Sequence, residues 1–216
     1  AYADAYAPGS QEQWPAGAAV APANVEEVQA VVRLANEHKT PLWPVSRGKN
    51  LGYGAAAPRM AGSIVLDLSR MMKIHELDTD LAYCVIEPGV SFFDLYEHIQ
   101  RAKAPLWMSV PGNAWGSVLG NALDHGMGYT PYGQHAKNLC GLEVVLPDGE
   151  MMHTGMGAME GNHSFHLFPL SFGPDWTQMF TQSNMGVVTK AGLWLQPAPE
   201  TSLQLTWDIP NEEDIG

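Results

Sequence analysis

The chain is poor in charge and poorer in cysteine. Only 16% of its 216 residues are charged, and those are lopsided, with 23 acidic residues against 11 basic ones for a net charge of -12. Lysine and arginine form no cluster or stripe, which argues against a nucleic-acid partner. No apolar run approaches the ~20 residues that a membrane-spanning helix needs. There are two cysteines, Cys84 and Cys140, far apart and without a Cys-x-x-Cys partner. They exclude a disulfide framework or a thiolate metal site and read as buried free thiols. The eight histidines are scattered, and the one helically spaced pair, His163 and His166, sits among loop-forming residues with no further ligand at hand, so no metal is expected. The chain opens at Ala1 with neither an initiator methionine nor an apolar leader, and its compartment cannot be read.

Glycine is abundant and unevenly placed. The stretch Pro44-Val45-Ser46-Arg47-Gly48-Lys49-Asn50-Leu51-Gly52-Tyr53-Gly54 follows a short apolar run and holds three glycines and an asparagine within seven residues. Such a loop can take positive φ and turn several N–H groups toward one point, a concavity suited to phosphate. Arg47 and Lys49 add local positive charge to an acidic chain. Gly48-Lys49-Asn50 lacks the hydroxyl of a Walker A loop, and a helical stretch precedes the loop while a strand follows it, so it is not a Rossmann fingerprint either. A second glycine-rich stretch, Gly112 to Gly133, contains Gly116, Ser117, Gly120, Asn121, Gly126 and Gly128. Glycines at that density mark close approach to another backbone or to a flat ligand.

Around these stretches the pattern is α+β. Residues 18–21 read as a strand, Asn24 with Glu27 as a capping box, and Val28, Val31, Val32 and Ala35 as the buried face of a helix, with 42–45 returning as a strand to complete a βαβ unit. Strands are predicted at 63–68 and 83–87, then a helix capped by Ser91 with Phe92, Leu95, Tyr96 and Ile99 on one face. A hairpin at 139–154, a short helix at 175–180 and a last strand at 187–195 follow. No serine–histidine or cysteine–histidine pairing stands out. The residues alone indicate a binder of a dinucleotide-like anion, a redox module.

Six stretches carry a specific resemblance: Pro41 to Gly54, Val85-Ile86-Glu87-Pro88-Gly89-Val90, Gly116-Ser117-Val118-Leu119-Gly120-Asn121, Gly126 to Gly133 with its Tyr129-Thr130-Pro131-Tyr132-Gly133 run, Gly141-Leu142-Glu143-Val144-Val145-Leu146, and Phe180 to Gly186. Together, over residues 17–199, they resemble the FAD-binding domain of the p-cresol methylhydroxylase and vanillyl-alcohol oxidase family. The resemblance implies a two-lobed α+β domain with a lobe boundary near residues 70–80, a lead at 1–16, and at 200–216 the opening of a C-terminal substrate half that the chain does not include.

It implies FAD as cofactor. Ser46, Arg47, Gly48, Lys49, Asn50 and Gly52 are assigned to the diphosphate loop, and Pro88, Gly89, Gly116, Ser117, Gly120, Asn121, Tyr129, Tyr132 and Gly133 to the cofactor wall. Gly141, Glu143, Gly186, Val187 and Val188 complete the implied set. Tyr53 matches the family's phenolate-binding tyrosine. The family usually places a carboxylate near flavin N5, where this sequence has Gln134, and an arginine where it has His125; the loss of the carboxylate charge puts redox tuning and covalent flavin attachment in doubt. The implied reaction is oxidation of a para-substituted phenol by hydride transfer from its benzylic carbon to flavin N5, through a quinone methide. The implied partners are a small phenolic substrate, the C-terminal half, a c-type cytochrome subunit and a second copy in a homodimer. A hydroxyacid or sugar-lactone oxidoreductase of the same fold and a non-catalytic flavin or electron-transfer module are the alternatives.

Overall fold

The computed structural model describes residues 2–4, 14–50, 54–171, 173–211 and 213. Two sheets organise them. The smaller is parallel, with β1 (Ala18–Val20) and β2 (Leu42–Val45) on either side of β3 (Ile64–Asp67). The helix between β1 and β2, α1 (Val25–Glu37), is capped by Asn24, whose side chain accepts from the Glu27 N–H at 2.9 Å. Glu27 reaches back one residue further than a capping box requires, accepting from Ala23 N at 2.7 Å. Residues 18–46 do form strand, helix, strand, but β1 and β2 are not neighbours: β3, arriving after the glycine loop, takes the central place.

The larger sheet is antiparallel in the order β4 (Ile74–Asp78), β5 (Tyr83–Ile86), β9 (Val187–Trp194), β7 (Leu139–Val145), β8 (Met151–His153). Its buried strands β5, β7 and β9 are near-continuous apolar runs. Against it pack α2 (Phe92–Ala102) and α3 (Val118–Leu123), burying Phe92, Leu95, Ile99, Leu119 and Ala122 against Ile86, Leu139, Leu142 and Leu193. A two-stranded ribbon of β6 (Leu106–Trp107) and β10 (Gln196–Pro197) lies beside it.

The predicted hairpin is present as β7–β8. The edge strand β4 was not foreseen: its sequence Ile-His-Glu-Leu-Asp carries charges and a register shift, the marks of an edge protected against further pairing, and it does not alternate cleanly. The helix expected at 175–180 is a turn followed by a single 3-10 turn, Gln178–Phe180, because the Asp175 carboxylate accepts from the N–H of Thr177 at 3.0 Å and ties off the segment.

The two sheets are joined through α1. Its Val28 and Val32 pack with Leu66, Leu68 and Met71 and with Val145 of β7. On the same helix Gln29 and Arg33 both donate to Gly149 O, at 2.7 and 2.8 Å, and Asn36 donates to Pro147 O, so the β7–β8 turn is clasped by one helix face. Among the described residues no helix is long and apolar enough to cross a membrane.

Candidate functional site

Three stretches distant in sequence meet at one crossing. β2 runs out through Val45 into Ser46 and Arg47, and the Arg47 guanidinium donates from Nη1 to Gly89 O at 2.8 Å and approaches Asp94 Oδ2 at 3.4 Å. Gly89 ends the Pro88-Gly89 turn that stops β5. Asp94 is the third residue of α2, where it completes a true capping box with Ser91, accepting from its N–H at 2.9 Å and its hydroxyl at 2.5 Å. From the other side, Ser117 donates to Pro88 O at 2.6 Å while accepting from Gly120 N at 2.8 Å as the cap of α3. Asn113 donates to Lys49 O, and Phe92 N reaches Gly116 O at 3.3 Å.

The approach is closest between Ser46 and Gly120, where a Cβ on the glycine would overlap the serine hydroxyl. Gly48 holds φ at +59°, the left-handed region that the sequence called for in this loop. Asn50 contributes a buried Oδ1 with no hydrogen-bond partner. An orphaned buried acceptor costs about 1–3 kcal/mol and is what a site for a polar ligand leaves behind. Leu51, Gly52 and Tyr53 lie outside the described residues.

The second glycine stretch closes into a tight loop. Gly128 N donates to Gly133 O at 2.9 Å and Gly133 N to Thr130 O at 2.8 Å, which pushes Tyr129 out to full exposure and leaves Thr130 Oγ1 buried and unpartnered. Tyr132 is half-buried, its carbonyl accepting from Asn138 Nδ2 at 2.7 Å, and it lines a cavity of about 10 Å³ with Phe92, Met108, Ser109, Val118 and His135. Gln134 is exposed at the head of the 3-10 turn His135–Asn138. His125, at the position where the family has arginine, takes φ +55° and lies with Nε2 at 2.9 Å from Thr181 Oγ1.

The residue that holds this loop was not singled out in the sequence. His135 is buried, with Nε2 at 2.9 Å from Ser109 Oγ and Nδ1 bonded to Asn121 Oδ1. An amide oxygen only accepts, so Nδ1 carries the proton and Nε2 accepts from the serine hydroxyl. Burial lowers the imidazole pKa below its ordinary value, in keeping with a neutral ring. Asn121, assigned to the cofactor wall, thus has its side-chain oxygen engaged within the protein. Serine, histidine and asparagine stand in a row, with Gly128 directly against the Ser109–His135 pair.

Gly141, Glu143, Gly186, Val187 and Val188 form a different neighbourhood on β7 and β9. Gly141 sits at a bulge, φ +56°, against Phe165, and Gly186 packs on Val144. Val188 is buried opposite Val144, and Val187 is half-buried opposite Val145. Burial pushes the Glu143 carboxyl up, but Lys190 at 2.8 Å, Thr189 at 3.0 Å and His153 at 3.6 Å outweigh it and leave the pKa below the usual carboxylate value. That carboxylate is matched inside the sheet. Cys84 and Cys140 are buried free thiols pushed up to about 12 by that burial, as their placement in strands suggested. No group of histidine, cysteine and carboxylate suited to a metal occurs among the described residues.

A family model described as FAD binding domain matches residues 16–155. This chain belongs to that family. The chain is 43% identical over 199 residues to the 4-cresol dehydrogenase [hydroxylating] flavoprotein subunit of Pseudomonas putida, a match covering 92% of this chain and 38% of that protein. It is 42% identical to 1'-carboxy-chondrochloren decarboxylase of Chondromyces crocatus, over 84% of this chain and 34% of that one. Among solved structures, 4-ethylphenol oxidase of Gulosibacter chungangensis superposes with a TM-score of 0.83 at 43% identity, over 85% of this chain and 35% of that one. The chain therefore spans little more than a third of the length of these relatives. FAD is the cofactor of the domain, and a buried polar atom without a partner in each glycine stretch, Asn50 Oδ1 and Thr130 Oγ1, fits a polar ligand.

Proposed function

We propose that this chain supplies the FAD-binding part of an oxidoreductase acting on para-substituted phenols. The observation that carries the reading is the 43% identity to the 4-cresol dehydrogenase flavoprotein subunit over 92% of the chain. The diphosphate is assigned to the crossing of residues 46–50 with Pro88-Gly89 and α3, where Gly48 and its neighbours offer N–H groups and Lys49 is exposed. The ring system is assigned to the Gly126 to Gly133 loop, with Tyr132 packed beside it. Gly141, Glu143, Gly186, Val187 and Val188 act as the sheet behind the cofactor rather than through their side chains.

When bound, FAD would supply at N5 the acceptor for the hydride that leaves the benzylic carbon of the substrate. The residues of the chain prepare that transfer. Tyr53, through its hydroxyl, donates to the substrate oxygen and favours the phenolate, whose electron pair moves into the ring as the hydride departs. The organic product of that step is a quinone methide, and water adds to its benzylic carbon. Gln134 borders the reacting edge as a neutral amide. The Tyr53 hydrogen bond to a charged oxygen is worth about 1.5–3 kcal/mol, so Tyr53→Phe slows flavin reduction roughly tenfold to a hundredfold with FAD content unchanged.

Leu203, Leu205, Trp207 and Ile209, alternating and exposed, have the sequence pattern of a strand with one face to cover, and are assigned to meet the substrate half. A lobe boundary near residues 70–80, a second copy in a homodimer and a cytochrome subunit as electron acceptor belong to the same proposal. Anaerobic rapid mixing of the native protein with a 4-alkylphenol tests it: the flavin absorbance near 450 nm, the usual oxidised-flavin band, bleaches in a single turnover. Bleaching by D-lactate and not by the phenol would establish the hydroxyacid alternative. The similarity to a decarboxylase favours a second reading, in which the phenolic substrate carries a carboxyl group that leaves as carbon dioxide; release of labelled carbon dioxide distinguishes it.

A further inference from the structure

We infer that Arg47 is a positioning residue of the diphosphate site, its charge matched inside the chain by Asp94, and that Lys49 with the loop N–H groups is left to meet the phosphates. The inference rests on the proposed placement of the diphosphate at this crossing. A loop arginine in an acidic protein invites assignment as the counter-charge of the ligand. The geometry points elsewhere. Nη1 of Arg47 faces Gly89 O at 2.8 Å and Asp94 Oδ2 at 3.4 Å, and only 20% of the arginine side chain is exposed. The same Asp94 oxygen accepts from both the backbone N–H and the hydroxyl of Ser91, so it is fixed before the arginine arrives. The Gly89 carbonyl belongs to the turn whose other carbonyl, Pro88 O, receives Ser117.

Arg47 therefore spans the loop, the end of β5 and the start of α2, while Ser117 spans β5 and α3. To an approaching diphosphate the Arg47–Asp94 pair is close to neutral, and Lys49 is the exposed cation of the loop. The consequence concerns salt and coupling. A cation that contacts phosphate makes affinity fall with ionic strength, and its removal flattens that dependence. A cation already paired within the protein leaves the dependence unchanged when it is removed, and its effect vanishes once its partner is gone.

The test is equilibrium titration of the apoprotein with FAD, at low and high salt, for Arg47→Met, Asp94→Asn, the double variant and Lys49→Met. Asn at position 94 keeps an acceptor for the Ser91 cap, and melting of each apoprotein reports any loss of fold. The expected result is that Arg47→Met and Asp94→Asn each weaken FAD binding about tenfold, the size of one charge-assisted hydrogen bond. The double variant is no weaker than the poorer single. The salt slope stays at the wild-type value in Arg47→Met and flattens in Lys49→Met. Undiminished or tighter binding by Asp94→Asn, or a flattened slope in Arg47→Met, would overturn the assignment and make Arg47 a direct phosphate ligand. A wild-type apoprotein that takes up no FAD would instead overturn the cofactor placement and the inference together.

Discussion

The crossing of the three loop segments and the interior of the five-stranded sheet are built on opposite plans. In the sheet, Cys84, Ile86, Leu139, Leu142, Val144 and Ala191 are essentially sealed from solvent, and even the Glu143 carboxylate is paired across strands with Lys190. At the crossing the fastenings are polar: Arg47 to Gly89 and Asp94, Ser117 to Pro88, Asn113 to Lys49. Asn50 and Thr130 keep unpartnered atoms in the two glycine stretches. The sheet thus carries stability, while the loops carry a shape that ligand binding completes. A ligand that binds only the native state adds about 2.7 kcal/mol at a hundredfold excess over Kd.

The largest expected effect comes from cutting the sheet. Leu142 is fully buried in the main core, and Leu142→Ala is predicted to cost about 2–5 kcal/mol of stability, read as a lowered chemical-denaturation midpoint. FAD affinity per folded molecule is predicted to stay at the wild-type value; a loss of affinity matching the loss of stability would erase the distinction between the two regions.

Acid should loosen the second glycine loop. Burial holds the His135 pKa below that of the unfolded chain, about 6.5, so below that pH the unfolded state binds a proton that the folded state refuses. Stability is then fully present above about pH 6.5 and falls as the pH drops toward the folded-state value, by at most about 1.4 kcal/mol per pH unit for one group. Denaturation midpoints at pH 7.5 and 5.5 are predicted to differ less in His135→Gln than in wild type. An equal difference in both would assign the acid sensitivity to other groups, His166 being the next, since its pKa is also lowered by burial.

A smaller effect is expected at Gln134, which is exposed beside the proposed ring site. Gln134→Glu places a negative charge where negative charge builds on reduction, and about 1 kcal/mol of repulsion lowers a two-electron potential by roughly 20 mV. Spectroelectrochemistry that finds one potential for both variants would remove Gln134 from the flavin edge. The smallest effect is an absence of change: with both thiols pushed up to about 12, a thiol reagent at neutral pH labels neither cysteine until the sheet unfolds.

Much of the sheet and helix scaffold was legible because its signals are local. Asn24 and Ser91 announce their helices, and the apolar runs of β3, β5, β7 and β9 read directly as buried strands. The glycine stretches stood out by composition for the same reason, and the left-handed φ expected in the first is present at Gly48. Their convergence was not, since the bond that makes it, Asn113 to Lys49, spans 64 residues and nothing in either segment names the other. His135 was missed because a lone histidine after Gln134 reads as surface, and only partners 14 and 26 residues away, Asn121 and Ser109, make its burial tolerable. Asp94 was in plain view as the third residue after a serine cap; its second duty toward Arg47 was not.

The central claim, that FAD binds across the loop crossing and not merely somewhere on a stable domain, is tested most directly by FAD titration of Gly120→Val. The added side chain meets Ser46 and Ser117, lying 3.1 Å from Ser46 Cβ and 3.2 Å from Ser117 Cβ at its first carbon, and must push the loop away from α3. Replacing a helical glycine offsets part of that cost, by roughly 0.5 kcal/mol. The prediction is an apoprotein that melts within a few degrees of wild type and has lost FAD affinity at least tenfold. Wild-type affinity in that variant would contradict the claim.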